Sequence, residues 1–507
     1  MDTLTKFKIS TVIYPVLAIL LWTGFAAGAA YAKGISPSSN RLLTKLQTQD
    51  TIRVIVTARD EAYNRQINSR YSIVDPEPGL VERYKNPKKL KLVREFKHLP
   101  HKVYEVDAEG LQELLNDPNV SVHENRIARP SLAQSVARVY PSQKFSQYHG
   151  NNDWAVVIID SGVNSEHPML AGKVVSEACY STTDKSGDPD QYYHSLCLDE
   201  FDKEVQSSVA AGSGQDCSIG VMGSIGEGMP IDDCGHGTAM AGIAVGNGGG
   251  KLGVAKDGKV IAIKVVSQTS DFDLCDTSPC AVVREEDLTA AFDRVLELKL
   301  SGNYKIAAVN LSLNFDLIAQ GNANCDGDPF KDNIDMLLAA GIPTVVSVGN
   351  GGLENSLQSP GCISTAFAVG ATSDNSDSLW SGTNRGELMD IFAPGANITT
   401  AQGVDDYATI SGTSAAAAHV SGAWVAARHA LPTASVAELE GRIRSKGPVV
   451  YVKDASSIRR LDLTSILDSI DPGSQDNPNP PVPNPPTLNS LILAPIYLLL
   501  FDEEPVL

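Results

Sequence analysis

The sequence predicts an α/β protein, in which a doubly wound, mostly parallel sheet with helices on both faces follows a smaller α+β unit. Between residues 135 and 450, short apolar runs alternate with helical stretches, which is the pattern of a parallel sheet with crossover helices. Between residues 36 and 130, the predicted order is β-α-β-α-β, which fits a ferredoxin-like sheet.

The smaller unit is defined by three strands and two helices. Branched residues predict strands at Ile52–Thr57, Lys102–Val106 and Val120–Glu124. The basic stretch Tyr84–His98 is predicted to be helical, and so is Ala108–Leu115, which ends before a proline.

The larger unit is expected to bury its strands on both faces. Helices are predicted at Glu285–Leu300 and Asp332–Ala340. Because ligands of such sheets bind beyond the carboxyl ends of the strands, we expect the chemistry just after the apolar runs. These runs are Val156–Ile159, Val260–Ile263, Ala307–Val309 and Thr344–Val346.

Length and composition exclude several classes of protein. The 507 residues suggest more than one folded unit plus linkers. Hydrophobic residues at 42% and charged residues at 20% are typical of a globular protein. A net charge of −19 argues against nucleic-acid binding, because phosphate backbones attract clustered Lys and Arg.

The two ends of the chain carry processing and linker signals. Lys6 and Lys8 precede a largely apolar run, and Ala30-Tyr31-Ala32 is typical of a signal-peptidase site. We therefore expect residues 1–32 to be a signal peptide, with an uncleaved anchor as the alternative, and the protein to be secreted, periplasmic or at the cell surface. Residues 471–487 form a proline-rich linker. The apolar tail 488–507 is too short to span a bilayer and is either a surface-retention tag or a frayed end.

The eight cysteines suggest disulfide bonds, because their number is even and the protein is expected to be exported. A zinc site would favour Cys-x-x-Cys pairs, and the chain has none. The sequence leaves the connectivity open, and the pairing that we expect is sequential: Cys179–Cys197, Cys217–Cys234, Cys275–Cys280 and Cys325–Cys362.

Three motifs carry the chemistry. Asp160 follows a buried strand, where its charge needs a partner such as a histidine, although a turn aspartate is the simpler interpretation. His236 lies between glycines before a run of small residues, where it is either a general base or a structural residue at a helix start. Ser414 opens an alanine-rich helix, as a nucleophile facing backbone N–H groups or as an N-cap. The order Asp, His, Ser is one of the known orders of a catalytic triad.

The contexts of these residues resemble the signatures of the subtilisin (subtilase, peptidase S8) family. The three motifs are Asp160-Ser-Gly, His236-Gly-Thr and Gly-Thr-Ser414, and the segment Val345–Asn350 resembles the strand whose Asn completes the oxyanion hole. The segment Val309–Leu313 resembles the strand that lines the substrate pocket, so Ser312, Leu313 and Asn314 are candidate substrate-binding residues.

The resemblance implies a subtilisin-like fold and a secreted serine endopeptidase that cleaves proteins or peptides through an acyl-enzyme. Residues 36–130 resemble an inhibitor I9-type propeptide, which implies a chaperone and inhibitor removed by self-cleavage between Arg126 and His149. Catalysis would require no cofactor, and a monomer is expected. Structural calcium occurs in the family, and Asp326, Asp328 or the loop near Asp188 could contribute oxygens without forming a complete ligand set.

Four positions depart from the family pattern. Ala239, Ala415 and Ala418 replace the usual His, Met and Pro, and none of the three carries a proton in the implied mechanism. Asn314 replaces a glycine in the pocket strand, where its side chain would narrow the pocket or block an extended substrate. A non-catalytic binding protein and an esterase are the rival hypotheses. The intact triad argues against the first, and the absence of a Gly-x-Ser-x-Gly elbow argues against the second.

Overall fold

The computed structural model describes residues 42–58, 90–130, 139, 148–217, 231–450 and 458–468, apart from residues 48, 98, 100, 119, 126, 187–190, 200, 202, 232, 272, 276–278, 322 and 375. The expected signal, the linker, the tail and most of the expected cleavage region lie outside the described residues. The chain divides into two compact units, one with Met1–Val93 and His101–Glu124 and the other with Arg94–Pro100 and Asn125–Leu507.

Most of the chemistry depends on where strands end. In chain order, the described strands are β1 (Ile52–Ala58), β2 (Leu90–Glu95), β3 (His101–Val106), β4 (Val120–Glu124), β5 (Ile127–Pro130), β6 (Trp154–Asp160), β7 (Val174–Tyr180), β8 (Tyr193–Ser195), β9 (Cys197–Leu198), β10 (Glu204–Val205), β11 (Ser207–Ser208), β12 (Asn247–Gly248), β13 (Lys251–Leu252), β14 (Lys259–Lys264), β15 (Val266–Thr269), β16 (Cys280–Arg284), β17 (Lys305–Leu311), β18 (Leu313–Phe315), β19 (Ile318–Gln320), β20 (Thr344–Ser347), β21 (Ser356–Gln358), β22 (Phe367–Ser373), β23 (Ile391–Ala396), β24 (Ile398–Gln402) and β25 (Asp406–Ile410).

The helices carry two of the three motif residues, His236 and Ser414. They are α1 (Ala108–Asn116), α2 (His236–Val245), α3 (Glu285–Leu300), α4 (Phe330–Ala339), α5 (Thr413–Ala430), α6 (Val436–Ser445) and α7 (Leu463–Asp468). Within the described ranges, none of them is both long and apolar enough to cross a membrane.

The smaller unit is built on a four-stranded sheet in the order β2-β3-β1-β4, with β1 antiparallel to β3 and β4. Leu111 and Leu114 of α1 pack into its apolar core. The predicted helix Tyr84–His98 is wrong over Leu90–Glu95, which is the edge strand β2. Basic residues suit an exposed sheet edge as well as a helix, and Lys91 pairs with Glu105 across the strands at 3.0 Å.

The larger unit contains an eight-stranded sheet in the order β11-β7-β14-β6-β17-β20-β22-β23. All neighbouring strands of this sheet are parallel except β11 and β7, so the sheet is mostly parallel, as predicted. Helices α2 and α5 pack on one face, in a core that includes Val156 and Ile158. The alternating residues Val157 and Ile159 are equally buried, and α3 lies against β6 and β7. This is the doubly wound arrangement expected from the apolar runs.

A second sheet of the larger unit has five strands in the order β18-β5-β16-β15-β8. In this sheet, β5 lies between β16 and β18 and is antiparallel to both. Arg129 lies opposite Asn314, and Pro130 lies opposite Leu313. The short segment 127–130 is therefore held by main-chain pairing on both edges.

The disulfide bonds join the four expected pairs: Cys179–Cys197, Cys217–Cys234, Cys275–Cys280 and Cys325–Cys362. They close loops that span 18, 17, 5 and 37 residues, respectively. No cysteine in the chain is left unpaired.

We expect the longest disulfide loop to stabilise the fold most. In the chain-entropy model, replacing Cys325 and Cys362 by alanine, which opens a 37-residue loop, lowers the free energy of unfolding by about 4 kcal/mol. The same change at Cys275 and Cys280, which opens a 5-residue loop, costs about 2 kcal/mol. Denaturant titration in a Ser414→Ala background measures both, and equal losses would contradict this ranking.

Candidate active site

Asp160 is the last residue of β6, a central strand of the eight-stranded sheet, and its side chain is fully buried. Two groups satisfy the carboxylate. The Nδ1 atom of His236 lies 2.7 Å from Oδ1 and 2.8 Å from Oδ2, and the backbone N–H of Ser161 donates to Oδ1 at 2.7 Å. Asp160 is therefore the partner of a histidine rather than a turn residue alone.

His236 is the first residue of α2 and is also fully buried. The next residue has to be glycine, because a Cβ at Gly237 would lie 2.2 Å from the carbonyl oxygen of Gly162 and 2.9 Å from the Cβ of Asp160. Ser161 holds the start of α2 close to the end of β6. Its Oγ accepts from the N–H of Gly237 at 3.0 Å and donates to the carbonyl of Cys234 at 2.7 Å.

Ser414 is the second residue of α5, whose N-cap is Gly412, so the interpretation of Ser414 as the N-cap is wrong. Its Oγ donates to the carbonyl of Ser312 at 3.4 Å, and the Oγ of Ser312 donates to the carbonyl of Ser414 at 3.1 Å. Ala415 and Ala418 are fully buried, which lets the helix run directly into the core. The serine therefore lies where the helix dipole favours negative charge.

Asn350 follows β20 and lies beside the start of α5. Its Oδ1 accepts from the N–H of Thr413 at 2.9 Å and from the Oγ1 of Thr413 at 2.8 Å. Because the amide oxygen faces Thr413, the two N–H groups of Nδ2 face the opposite way. Thr413 of the Gly-Thr-Ser414 motif is thus the residue that orients the Asn350 amide.

The candidate substrate-binding residues begin a strand beside Ser414. Ser312 contacts Ser414 directly, whereas Leu313 and Asn314 belong to β18, which pairs with β5. Strand β16, the wall of the site on the other edge of β5, was not identified from the sequence as part of the site. Its only signal was an apolar run after the short Cys275–Cys280 loop.

A buried lysine lies beside Asp160. Lys264 ends β14 and is in register with Asp160 on the neighbouring strand. Burial lowers the pKa of Lys264 to about 8, although Asp216 and Glu177 act to raise it. Asp216 also accepts a hydrogen bond from Thr238 of α2 at 2.5 Å, which ties this charged group to the helix that carries His236.

The suggested calcium ligands Asp326 and Asp328 both accept hydrogen bonds within the protein. Asp326 accepts from the N–H and Oγ of Ser364 at 2.9 and 2.7 Å, and Asp328 accepts from the Oγ of Ser359 at 2.6 Å. Hydrogen-bond donors of the protein therefore contact both carboxylates, and Asp188 lies outside the described residues. Across the described residues, no group of three or more His, Cys, Asp or Glu is placed to hold a metal ion.

Comparison with known proteins identifies a family and several relatives. The model of the subtilase family matches residues 151–455. Subtilisin-like protease 3 of Pseudogymnoascus destructans is 29% identical over 325 residues, which are 60% of this chain and 74% of that protein. Alkaline protease 1 of Aspergillus clavatus is 34% identical over 38% of this chain, a match that spans 42% of that protein. Among solved structures, Sphericase is 19% identical to this chain with a TM-score of 0.44. The match covers 64% of this chain and 95% of the Sphericase chain.

The packing of Gly237 predicts a large effect of one methyl group. Gly237→Ala should displace His236 from Asp160 and lower the rate at which a fluorophosphonate labels Ser414 by about 100-fold. Gly441→Ala on α6 is the matched control, because a Cβ there meets nothing within 4 Å. Equal labelling rates for the two variants would contradict the close approach of α2 to β6.

The lysine beside Asp160 predicts a pH-dependent stability. Between pH 8 and 10.5, the unfolded state keeps a proton on Lys264 that the folded state has released, so the free energy of unfolding rises with pH in this window. In a Ser414→Ala background, wild type should gain on the order of 1–3 kcal/mol over Lys264→Met from pH 7.5 to 10.5. The exposed Lys305→Met is the control, and a constant difference between wild type and Lys264→Met would contradict the shift.

Proposed function

Because the chain belongs to the subtilase family, we propose that it is a serine endopeptidase that hydrolyses peptide bonds through an acyl-enzyme on Ser414. The observation that carries the proposal is the buried His236, whose Nδ1 is held by both oxygens of Asp160. A histidine held in this way carries its proton on Nδ1, so Nε2 is the nitrogen that accepts a proton in catalysis.

In the proposed mechanism, each of these groups has one role. His236 takes the proton of Ser414 as Ser414 attacks the scissile carbonyl, and Asp160 stabilises the imidazolium that forms. The Nδ2 group of Asn350 and the N–H of Ser414 bind the oxyanion, and the loss of one such donor costs about 10²–10³ in rate. His236 then returns the proton to the leaving amine, and a water activated by the same histidine hydrolyses the ester. None of these steps calls for a cofactor.

The strand β5 supports a groove for extended peptides between β16 and β18. A substrate taking the place of β5 would be held by main-chain hydrogen bonds on both edges, as in other β-strand additions. Because β5 ends the section expected to be the propeptide, its position also supports inhibition by that section and its removal by self-cleavage.

We also propose that the protein is exported and acts as a monomer. Four disulfide bonds support an oxidising compartment, and residues 1–32 have the pattern of a cleaved signal.

The test compares the full-length chain with Ser414→Ala and with the exposed Ser445→Ala as a matched control. Wild type and Ser445→Ala should shed the first section and be labelled by a fluorophosphonate. Ser414→Ala should stay intact, with peptidase activity lowered at least about 10⁴-fold. Mass spectrometry and gel labelling give both readouts.

Two results would contradict the proposal in different ways. Equal processing of wild type and Ser414→Ala would exclude self-cleavage. Folded, processed wild type that neither reacts with the probe nor cleaves a denatured protein would favour a non-catalytic binding protein.

A further inference from the structure

The side chain of Asn314 joins two strands beside the reacting centre. Its Nδ2 donates to the carbonyl of Ser347 at 2.8 Å, and its Oδ1 accepts from the Oγ of Ser347 at 2.9 Å. We propose that this bridge shortens the pocket for the P1 side chain, that of the residue carrying the scissile carbonyl, and so restricts the enzyme to substrates with Gly, Ala or Ser at P1. The proposal rests on the proposed function.

The position of the P1 residue follows from strand register. In β5, Arg129 lies opposite Asn314 and Pro130 lies opposite Leu313. A substrate strand in the same register places its next residue opposite Ser312. Since the Ser312 carbonyl accepts from the Oγ of Ser414 at 3.4 Å, the residue opposite Ser312 presents its carbonyl to the nucleophile.

The direction of the P1 side chain follows from the two groups that flank its carbonyl. Ser312 leads into β18 on one side, and Asn350 follows β20 on the other. The side chain therefore enters the gap between β18 and β20. Asn314 of β18 and Ser347 of β20 close this gap with their two hydrogen bonds.

The bridge resists displacement. Ser347 is fully buried, and Asn314 is partly buried, so a large P1 side chain that pushed Asn314 aside would break both hydrogen bonds to the buried Ser347. A P1 methyl or hydroxymethyl group stops short of the bridge. A leucine or phenylalanine side chain does not.

The experiment uses the processed enzyme and three peptide anilides that differ only at P1, as Ala, Leu or Phe. Rates are expressed per serine labelled by a fluorophosphonate. We expect kcat/KM of wild type to favour Ala over Phe by at least about tenfold. Asn314→Gly should raise the Phe/Ala ratio by about 10- to 100-fold, which is what burying a phenyl ring in an opened apolar pocket is worth.

Two further variants make the result specific. Asn314→Ala, which is too short to form the bridge, should shift the ratio in the same direction and serves if Asn314→Gly does not fold. Asn397→Gly is the matched control, because Asn397 is exposed, bonds only Asp374 at 3.2 Å among the described side chains, and has a φ of 61° that glycine adopts readily. Its Phe/Ala ratio should equal that of wild type.

The outcomes separate this inference from the proposed function. If wild type and variants are labelled but share one Phe/Ala ratio, or if wild type favours Phe, the inference is overturned and the peptidase stands. If folded wild type is neither labelled nor active on any of the three substrates, the proposed function falls and the inference falls with it.

Discussion

The pairing of Asp160 with His236 is the constraint on which the rest of the site depends. A carboxylate with no exposure to water is costly unless charged or polar donors surround it, and here the donors are the imidazole and the N–H of Ser161. To deliver the imidazole, α2 has to begin against the end of β6. That approach requires Gly237, and it is fixed by the two hydrogen bonds of the Ser161 hydroxyl. The chemistry of the histidine is thus a consequence of tight backbone packing.

The parallel sheet places the remaining groups around this pair. Strands β6, β17 and β20 are neighbours, so the residues after their carboxyl ends meet at one edge of the sheet although they are far apart in sequence. Asp160 ends β6, Ser312 follows β17 and Asn350 follows β20. Helix α5 packs against all three strands and brings Ser414 to the same edge. The cost of burying polar groups there is offset by mutual hydrogen bonds, as between Asn350 and Thr413.

Local patterns predicted the fold well where one physical cause dominates. Buried parallel strands have to be apolar on both faces, so their positions were readable from the sequence. The expected sequential disulfide pairing was also correct. The prediction failed at Leu90–Glu95, where basic residues suit a sheet edge and a helix equally. Contacts between distant segments carried no local signal. The role of Thr413, the wall β16 and the Asn314–Ser347 bridge, which joins residues 33 positions apart, required the structure.

Under the proposed function, the strand β5 would connect substrate recognition with inhibition by the first section. Main-chain pairing with β16 and β18 holds any extended segment alike, because backbone hydrogen bonds carry no information about side chains. Discrimination among substrates then depends on residues such as Asn314 that shape the space beside the strand. A segment of the same chain that occupies this groove has a high effective concentration there, because it is tethered. Cleavage of the connecting peptide would remove this advantage. Under the proposed function, the groove would be blocked by its own chain before cleavage, because its backbone contacts are unselective, and its pocket would select substrates afterwards.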